Sequence, residues 1–452
     1  MLLATGVLPF RAGRADDPAG VGDTGRVHPT PEPDPTPDPA ALGDPAARLA
    51  TVLAGLTPWP EDGSRPDGPV AVDATDRLLL DEATPLLAQA GPGHVVVLGD
   101  RFGALSLGAL SLGAPDVRAH VDTVTAEAAV EQNVREAGRL DVVRDDRATL
   151  RITLREELDE HLLGGARLVL LQLPPSLAEL TEIAEAIARH AADDVTVLAG
   201  GRVKHMTRSM NEVLAASFTD VRASLARQKS RVLVATGVRP EARDAAPSFP
   251  ARADLRDAEL VTAATPAGGT PPEGVTVVAH GGTFAGPALD LGTRFLLTTA
   301  GKWPAPDRVH DALDLGSGTG LLATVLALRY PDARVVGTDR SAAAVASTRA
   351  TAEANGVGER VVVLRGDAGE DLEPASVDLI LLNPPFHDRA AVRTDAAHRM
   401  FAAAGRALRQ GGELWCVFNT ALHYKQALTR SVGPTVHIEQ NPKFTVTRSR
   451  RR

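Results

Sequence analysis

Two stretches of this chain alternate short apolar runs with longer patterns of helical period, and the second does so more cleanly. There His310 to Leu315 reads as a strand, Gly320 to Leu328 as a helix and Arg334 to Thr338 as the next strand. Ser341 is placed to cap an alanine-rich helix that reaches Asn355 and is ended by Gly356. Arg360 to Leu364 and Val377 to Leu382 are short apolar strands. Met400 to Leu408 is helical, and Glu413 to Phe418 is a strand that follows a turn at Gly411-Gly412. In the first stretch, the apolar strands Val95 to Leu98 and Leu168 to Leu171 sit among helical patterns. Strands alternating with helices predict an α/β fold, a largely parallel sheet flanked by helices. Two such stretches predict two of these in tandem.

Punctuation in the sequence sets the boundaries. Residues 1–45 are rich in Pro, Asp, Ala and Gly, as in Pro31-Glu-Pro-Asp-Pro-Thr-Pro-Asp-Pro39, and are expected to be a disordered extension. Residues 46–240 are expected as the first domain, 241–273 as a linker marked by Thr265-Pro-Ala-Gly-Gly-Thr-Pro-Pro272, and 274–452 as the second domain. Hydrophobic residues make up 44% of 452, ample for packed cores. Cys416 is the only cysteine, so no disulfide forms within the chain, and its apolar run Leu414-Trp-Cys-Val-Phe418 reads as core. The start, Met1-Leu-Leu-Ala, lacks the basic residues and long apolar run of a signal peptide. No run of roughly 18 or more apolar residues is present to span a membrane. The expectation is a monomeric cytoplasmic protein.

A net charge of −9 argues against a nucleic-acid partner until it is divided along the chain. From Phe386 to Arg452 there are 12 Lys or Arg against 4 Asp or Glu, a local +8, while residues 1–270 carry −12. A basic segment there suits phosphates beside a site. It also suits a solvated surface ending in the basic tail Arg448-Ser-Arg-Arg-Arg452.

The candidate chemistry lies at strand ends, where ligands bind in such sheets. Asp314-Leu-Gly316-Ser317-Gly318-Thr-Gly320 joins a strand to a helix. Its glycines permit a sharp turn and close approach to a ligand, and the amides at the helix start favour a carboxylate. Asp339 ends the next strand, placed to accept both hydroxyls of a ribose. Asp367 follows the third strand, placed to accept an adenine amino group. The Gly-x-Gly-x-Gly spacing does not match the dinucleotide fingerprint. Asp314, Gly316, Ser317, Gly318, Gly320, Asp339, Asp367 and Asn383 together read as a site for S-adenosylmethionine, a tight structural turn and a dinucleotide site being the other readings.

Asn383-Pro384-Pro385-Phe386 begins 67 positions beyond Gly316 and reads as the acceptor site. An amine conjugated to a base ring is a poor nucleophile, because its lone pair is delocalised. Hydrogen bonds from its two N–H groups to the Asn383 side-chain oxygen and the Pro384 carbonyl would draw it toward tetrahedral geometry, and proline donates nothing in return. Phe386 offers a face on which the base can stack. Neither acid nor metal is required, since a sulfonium is already a good leaving group and the work is positioning. Asn-Pro-Pro is also an ordinary strand-ending turn. Together, the two motifs read as an S-adenosylmethionine-dependent N-methyltransferase.

The chain also repeats itself. Val95 to Leu98 is followed by Gly99-Asp-Arg-Phe-Gly103, and Leu173-Pro174-Pro175-Ser176 begins 74 positions beyond Gly99. In this copy Leu173 takes the place of the hydrogen-bonding asparagine and Ser176 that of the stacking phenylalanine, so the first copy is expected to be inactive. Asp339→Ala is expected to abolish cofactor binding, and Asp122→Ala in the first copy to leave it intact.

These features resemble the bacterial ribosomal RNA guanine-N2 methyltransferases of the RsmC and RlmG family, which pair a degenerate Rossmann-like methyltransferase domain with an active one. The matching residues are Leu289-Asp-Leu-Gly-Thr-Arg-Phe-Leu-Leu297, the glycine turn, Asn383-Pro-Pro-Phe-His-Asp388 and Gly411-Gly-Glu-Leu414, with Gly201-Arg-Val-Lys-His-Met206 and Gln228-Lys-Ser-Arg231 in the first half. Asn419, Leu422, Tyr424 and Asn441-Pro-Lys-Phe444 are more similar to the large-subunit branch, while Arg389 stands where the family often has glycine. The resemblance implies S-adenosylmethionine as cofactor and a guanine of ribosomal RNA, free or in a subunit particle, as acceptor. Adenine-N6 methylation, protein glutamine methylation and a non-catalytic RNA-binding assembly factor stay open. The charge division places RNA mainly on the second domain, near Arg389, Arg393 and Lys425.

Overall fold

The computed structural model describes residues 44–59, 68–137, 142–143, 152–385 and 392–452, without the side chains of 142–143 and 392–395. The extension expected to be disordered lies, up to residue 43, outside the described residues, as do Phe386 and Arg389.

The first sheet comprises β1 (Val95–Leu98), β2 (Val117–His120), β3 (Val142–Val143), β4 (Ile152–Arg155), β5 (Leu168–Gln172), β6 (Thr196–Arg202), β7 (Phe218–Ala223) and β8 (Ser230–Val238), in the order β3-β4-β2-β1-β5-β6-β8-β7. A small antiparallel pair follows, β9 (Ala251–Leu255) with β10 (Val275–Ala279). The second sheet comprises β11 (Asp311–Leu315), β12 (Arg334–Asp339), β13 (Val361–Arg365), β14 (Val377–Leu382), β15 (Leu408–Asn419), β16 (Thr435–Gln440) and β17 (Phe444–Arg450), in the order β13-β12-β11-β14-β15-β17-β16. With the edge strands β3 and β4 taken as one position, the two orders coincide. In both, one strand alone is reversed, β8 or β17, which pairs antiparallel with its neighbour on either side, so that β7 and β16 at the edge run in the direction of the parallel strands. The repeat seen in the sequence is therefore a repeat of topology.

Period-two alternation divides each central strand between two cores. Val95 and Val97 face the layer containing Leu79 and Leu105, while Val96 and Leu98 face Leu162 and Ile187. In the second sheet, Leu379 and Leu381 face Trp303 and Leu326, while Ile380 and Leu382 face Phe401 and Leu428. Buried on both faces, such strands read as continuous apolar runs. Cys416 is fully buried in this second core, and burial pushes its thiol pKa well up.

Three expectations change. Residues 241–273, expected as a linker, carry β9 and the helix Ala258–Ala264, and Leu260, Ala263 and Ala264 are fully buried with the second sheet's core. Pro and Gly mark only the turn between that helix and β10. Gly411-Gly412 is not a turn before a strand but an irregularity inside β15, whose pairing jumps from Val377↔Leu408 to Leu379↔Glu413. The helix expected from Met400 begins earlier, as Val392–Ala407.

Residues 44–452 form one compact unit, in which the halves meet about equivalent elements. Thr123 caps the helix Val124–Glu136 and Ser341 caps Ala342–Ala354, and the two caps pair as an antiparallel bridge. Val124 N–H donates to the Arg340 carbonyl at 3.1 Å, and Ala342 N–H to that of Asp122 at 2.7 Å. Arg365, nearly buried, bridges to Glu127 at 2.9 Å and donates to the Asp122 carbonyl at 3.0 Å.

Candidate functional site

The glycine turn is tied to the neighbouring strand by its own amides, since Gly316 and Ser317 both donate to the Thr338 carbonyl, at 2.8 and 2.9 Å. Gly320 then starts the helix Leu321–Arg329 at φ 75°, where a Cβ would stand 2.6 Å from Thr348 Cα. Left-handed backbone and close packing together require glycine there. Ser317 Oγ and Thr348 Oγ1 lie 2.9 Å apart and fasten the turn to the next helix.

Three carboxylates converge on this turn. Asp314 is buried; its Oδ2 accepts from Ala323 N–H at 2.8 Å, while Oδ1 finds no partner among the described residues. Burial pushes its pKa up to about 7, the Ala323 amide opposing and the Asp339 charge adding. Asp339 accepts from Gly318 N–H and Ser341 N–H, both at 3.0 Å. Burial raises its pKa as well, against those two amides, and Asp122 adds to the rise. Gly366 N–H donates to the Asp339 carbonyl at 3.0 Å, which sets Asp367 just beyond the end of the strand next to that of Asp339. Asp367 is buried and ion-paired with Arg399 on the helix Val392–Ala407, a partner the sequence did not disclose.

Asn383 comes to the turn through sheet register. Leu382 pairs with Leu315, so Asn383 and Gly316 leave adjacent parallel strands side by side. Its Nδ2 donates to Asp290 Oδ2 at 3.0 Å and to Thr293 Oγ1 at 2.9 Å. Its Oδ1 is buried with no partner among the described residues. Pro384 is buried and Pro385 exposed, and Phe386 lies beyond the described residues. Asp290 and Thr293 carried no role in the sequence reading. Their signal was an N-cap pattern, Asp290 before the helix Leu291–Leu297, but contact with Asn383 across 93 positions leaves no local trace.

The first half repeats the frame and fills it. Gly99 N–H donates to the His120 carbonyl at 3.0 Å, and Gly103 starts the helix Ala104–Ser111 at φ 87°. Between them Asp100 is buried and accepts from Leu105 N–H at 3.3 Å and Ser106 N–H at 2.7 Å, so the helix amides are satisfied internally. Phe102 packs into the same loop against Ala71 and Ala129. Val121 occupies the position of Asp339, since His120 matches Thr338 in these turns. Asp122, one residue on, instead accepts from Ser341 Oγ at 2.9 Å and Ala343 N–H at 3.0 Å in the other half. Register also corrects the alignment made through the prolines: Leu98 pairs with Leu171, so Gln172 rather than Leu173 is level with Asn383.

Among the described residues, no group of His, Cys, Asp and Glu could hold a metal ion, and no helix is long and apolar enough to cross a membrane. Comparison with known proteins matches the family model "Methyltransferase small domain" to residues 274–448 and "RLMG N-terminal domain" to residues 56–239. A solved structure of the T. thermophilus 16S rRNA methyltransferase (RsmC), in complex with AdoMet and guanosine, shares the fold at a TM-score of 0.64 with 23% identity, covering 87% of this chain and 94% of that one. The Ribosomal RNA large subunit methyltransferase G of Pseudomonas syringae pv. syringae is 35% identical over 388 residues, 84% of this chain and 93% of its own. The Streptomyces avermitilis protein of the same name is 36% identical over 403 residues, 87% of this chain and 98% of its own. With both halves matched and relatives aligned over nearly their full length, the chain belongs to the ribosomal RNA large subunit methyltransferase G family.

Proposed function

We propose that this chain transfers a methyl group from S-adenosylmethionine to the exocyclic N2 amine of a guanine in large-subunit ribosomal RNA. The observation that carries the reading is the Asn383 amide: a buried acceptor oxygen, unpaired among the described residues, held beside a glycine turn. The family name supports ribosomal RNA as substrate, and the RsmC relative was solved with AdoMet and guanosine.

The residues fit an adenosyl cofactor. Asp314 Oδ1 is a buried carboxylate oxygen that lacks a partner among the described residues, suited to the methionine ammonium. Each Asp339 oxygen spends one lone pair on a backbone amide and keeps another for a ribose hydroxyl. Asp367 would take the adenine amino group, sharing its charge with Arg399. When bound, the cofactor supplies an electrophilic methyl on a good leaving group. Gly316, Ser317, Gly318 and Gly320 shape its cradle. Asn383 Oδ1 and the Pro384 carbonyl accept the two N–H bonds of the amine and aim its lone pair, Pro385 stiffens the turn, and Phe386 stacks the base. The first half, its loop filled by Asp100 and Phe102, binds no second cofactor. The enzyme works in the cytoplasm as a monomer, on free ribosomal RNA or a subunit particle.

Asn383→Ala should retain cofactor affinity by calorimetry yet lose methyl transfer on the order of 10²-fold, as for loss of a preorganised polar group at a reacting centre. Transfer at the wild-type rate would remove the assignment. Mass mapping of ribosomal RNA from a deletion strain should reveal one guanine lacking its methyl group.

A further inference from the structure

We infer that Asp290, seconded by Thr293, is a positioning residue that decides which end of the Asn383 amide faces the acceptor. The inference rests on the acceptor role given to Asn383 above. A carboxamide can be rotated to present either its oxygen or its NH2, and only the oxygen can accept from a substrate amine. A carboxylate has no proton to donate, so Asp290 Oδ2, 3.0 Å from Asn383 Nδ2, tolerates only the NH2 end. Thr293 Oγ1, 2.9 Å away, accepts from the same NH2. The oxygen is thereby driven to the opposite side, where it is buried without a partner among the described residues. The contact also polarises the amide: a charge-assisted hydrogen bond at the nitrogen leaves Oδ1 a stronger acceptor.

The internal repeat supplies independent support. In the first half, Asp73 caps the helix Ala74–Leu87 as Asp290 caps Leu291–Leu297, and Asp76 stands three residues after the cap, as Thr293 does. The side-chain amide of Gln172, level with Asn383, donates to Asp76. An amide leaving the fourth sheet position is thus held NH2-first by the start of the same helix in both halves. In the degenerate half this contact persists although the loop beside it is filled.

Asp290 also caps its helix, its Oδ2 accepting from Thr293 N–H at 2.9 Å, so the variant must keep the cap. Serine caps as well as aspartate but ends one atom short of the Asn383 amide. In Asp290→Ser the helix start is therefore kept while the carboxylate that tolerates only the NH2 end is gone, which lets the Asn383 amide turn its NH2 toward the acceptor. Methyl transfer to an unmodified large-subunit ribosomal RNA transcript should then fall on the order of tenfold or more in kcat, with KM and cofactor affinity little changed. Combining Asp290→Ser with Asn383→Asp should recover most of that loss, because a carboxylate presents an acceptor oxygen whichever way it turns. Loss of a mere structural contact would not be rescued by the second change. Thr293→Val, which leaves the cap in place, should lower kcat less. Wild-type kcat in Asp290→Ser, or no recovery in the double variant, overturns the inference. If Asn383→Ala itself transfers methyl normally, the acceptor assignment fails instead.

Discussion

Asp314 shows how a residue of the site works against the stability of the fold. Its carboxyl is raised from 3.8 to about 7, chiefly by burial, so the folded chain binds that proton more tightly than the unfolded chain. Its stabilising share is complete below about pH 4 and is lost as the pH rises toward 7. Asp314→Asn keeps an oxygen for Ala323 N–H and removes the buried charge. It should raise the melting temperature at pH 8 but not near pH 4, while weakening the cofactor about tenfold or more, the worth of a hydrogen bond to a charged group at roughly 1.5–3 kcal/mol. Scanning calorimetry at both pH values and a cofactor titration check this; an equal change at pH 4 and pH 8 would place the effect in packing rather than charge. Asp314, Gly316, Asp339 and Asn383 were legible in the sequence because each sits at a strand end inside a local motif. Asp290, Thr293 and Arg399 were not, because their contacts cross 93, 90 and 32 positions and follow from how helices lie on the sheet.

Elements were read best where apolar runs were short and sharply bounded. Val377–Leu382 was placed to the residue, and the helix Ala342–Ala354 has the expected Ser341 cap, with Gly356 beyond its end at φ 70°. Gly411 misled because a glycine with φ 83° looks the same in a turn and in a bulged strand. The order of the strands was not legible at all, since pairing is a property of the sheet and not of a segment. The helix Ala342–Ala354 also draws on the other half: besides Ser341 Oγ, at 3.1 Å from Ala344 N–H, it has Asp122 Oδ1 at 3.0 Å from Ala343 N–H. Asp122→Ala is therefore no neutral control for the cofactor site. Removing a cap costs about 1 kcal/mol, and some of this is offset because Asp122 also raises the pKa of Asp339. We expect the cap to prevail: a melting temperature lower by a few degrees and cofactor affinity weaker by about threefold, roughly two-thirds of that cap free energy. Unchanged values for both would mean that the filled half lends the active half nothing through this contact.

At the scale of the molecule, the sum of charges and the local distribution of cations point to different surfaces for RNA. Residues 1–270 carry −12, yet the carboxyl end of the first sheet presents Arg202 as the last residue of β6, with Lys204 and His205 directly after it. Val203 N–H donates to the Lys229 carbonyl at 2.9 Å, which draws Lys229 to the same rim, and Gly201 packs on Leu173 beside it. Lys204 and Lys229 are exposed and make no ion pair among the described residues. Arg202 lies 3.9 Å from Asp73, too loose a pair to cancel its field. On the second half, Lys425 is exposed, while Arg389 and the side chain of Arg393 lie outside the described residues. Phosphate contacts respond to local potential within a Debye length of about 10 Å, not to the charge of a whole half. RNA should therefore engage both rims. Reversing charge at Lys204 and Lys229 together should weaken binding at least as much as Lys425→Glu, and should flatten the dependence of log affinity on log salt by roughly 0.7–0.9 for each cation that met a phosphate. Filter binding across a salt series measures both quantities. If the Lys204 and Lys229 changes leave affinity and slope as they were while Lys425→Glu reduces both, RNA rests on the second half alone, as the charge count had implied.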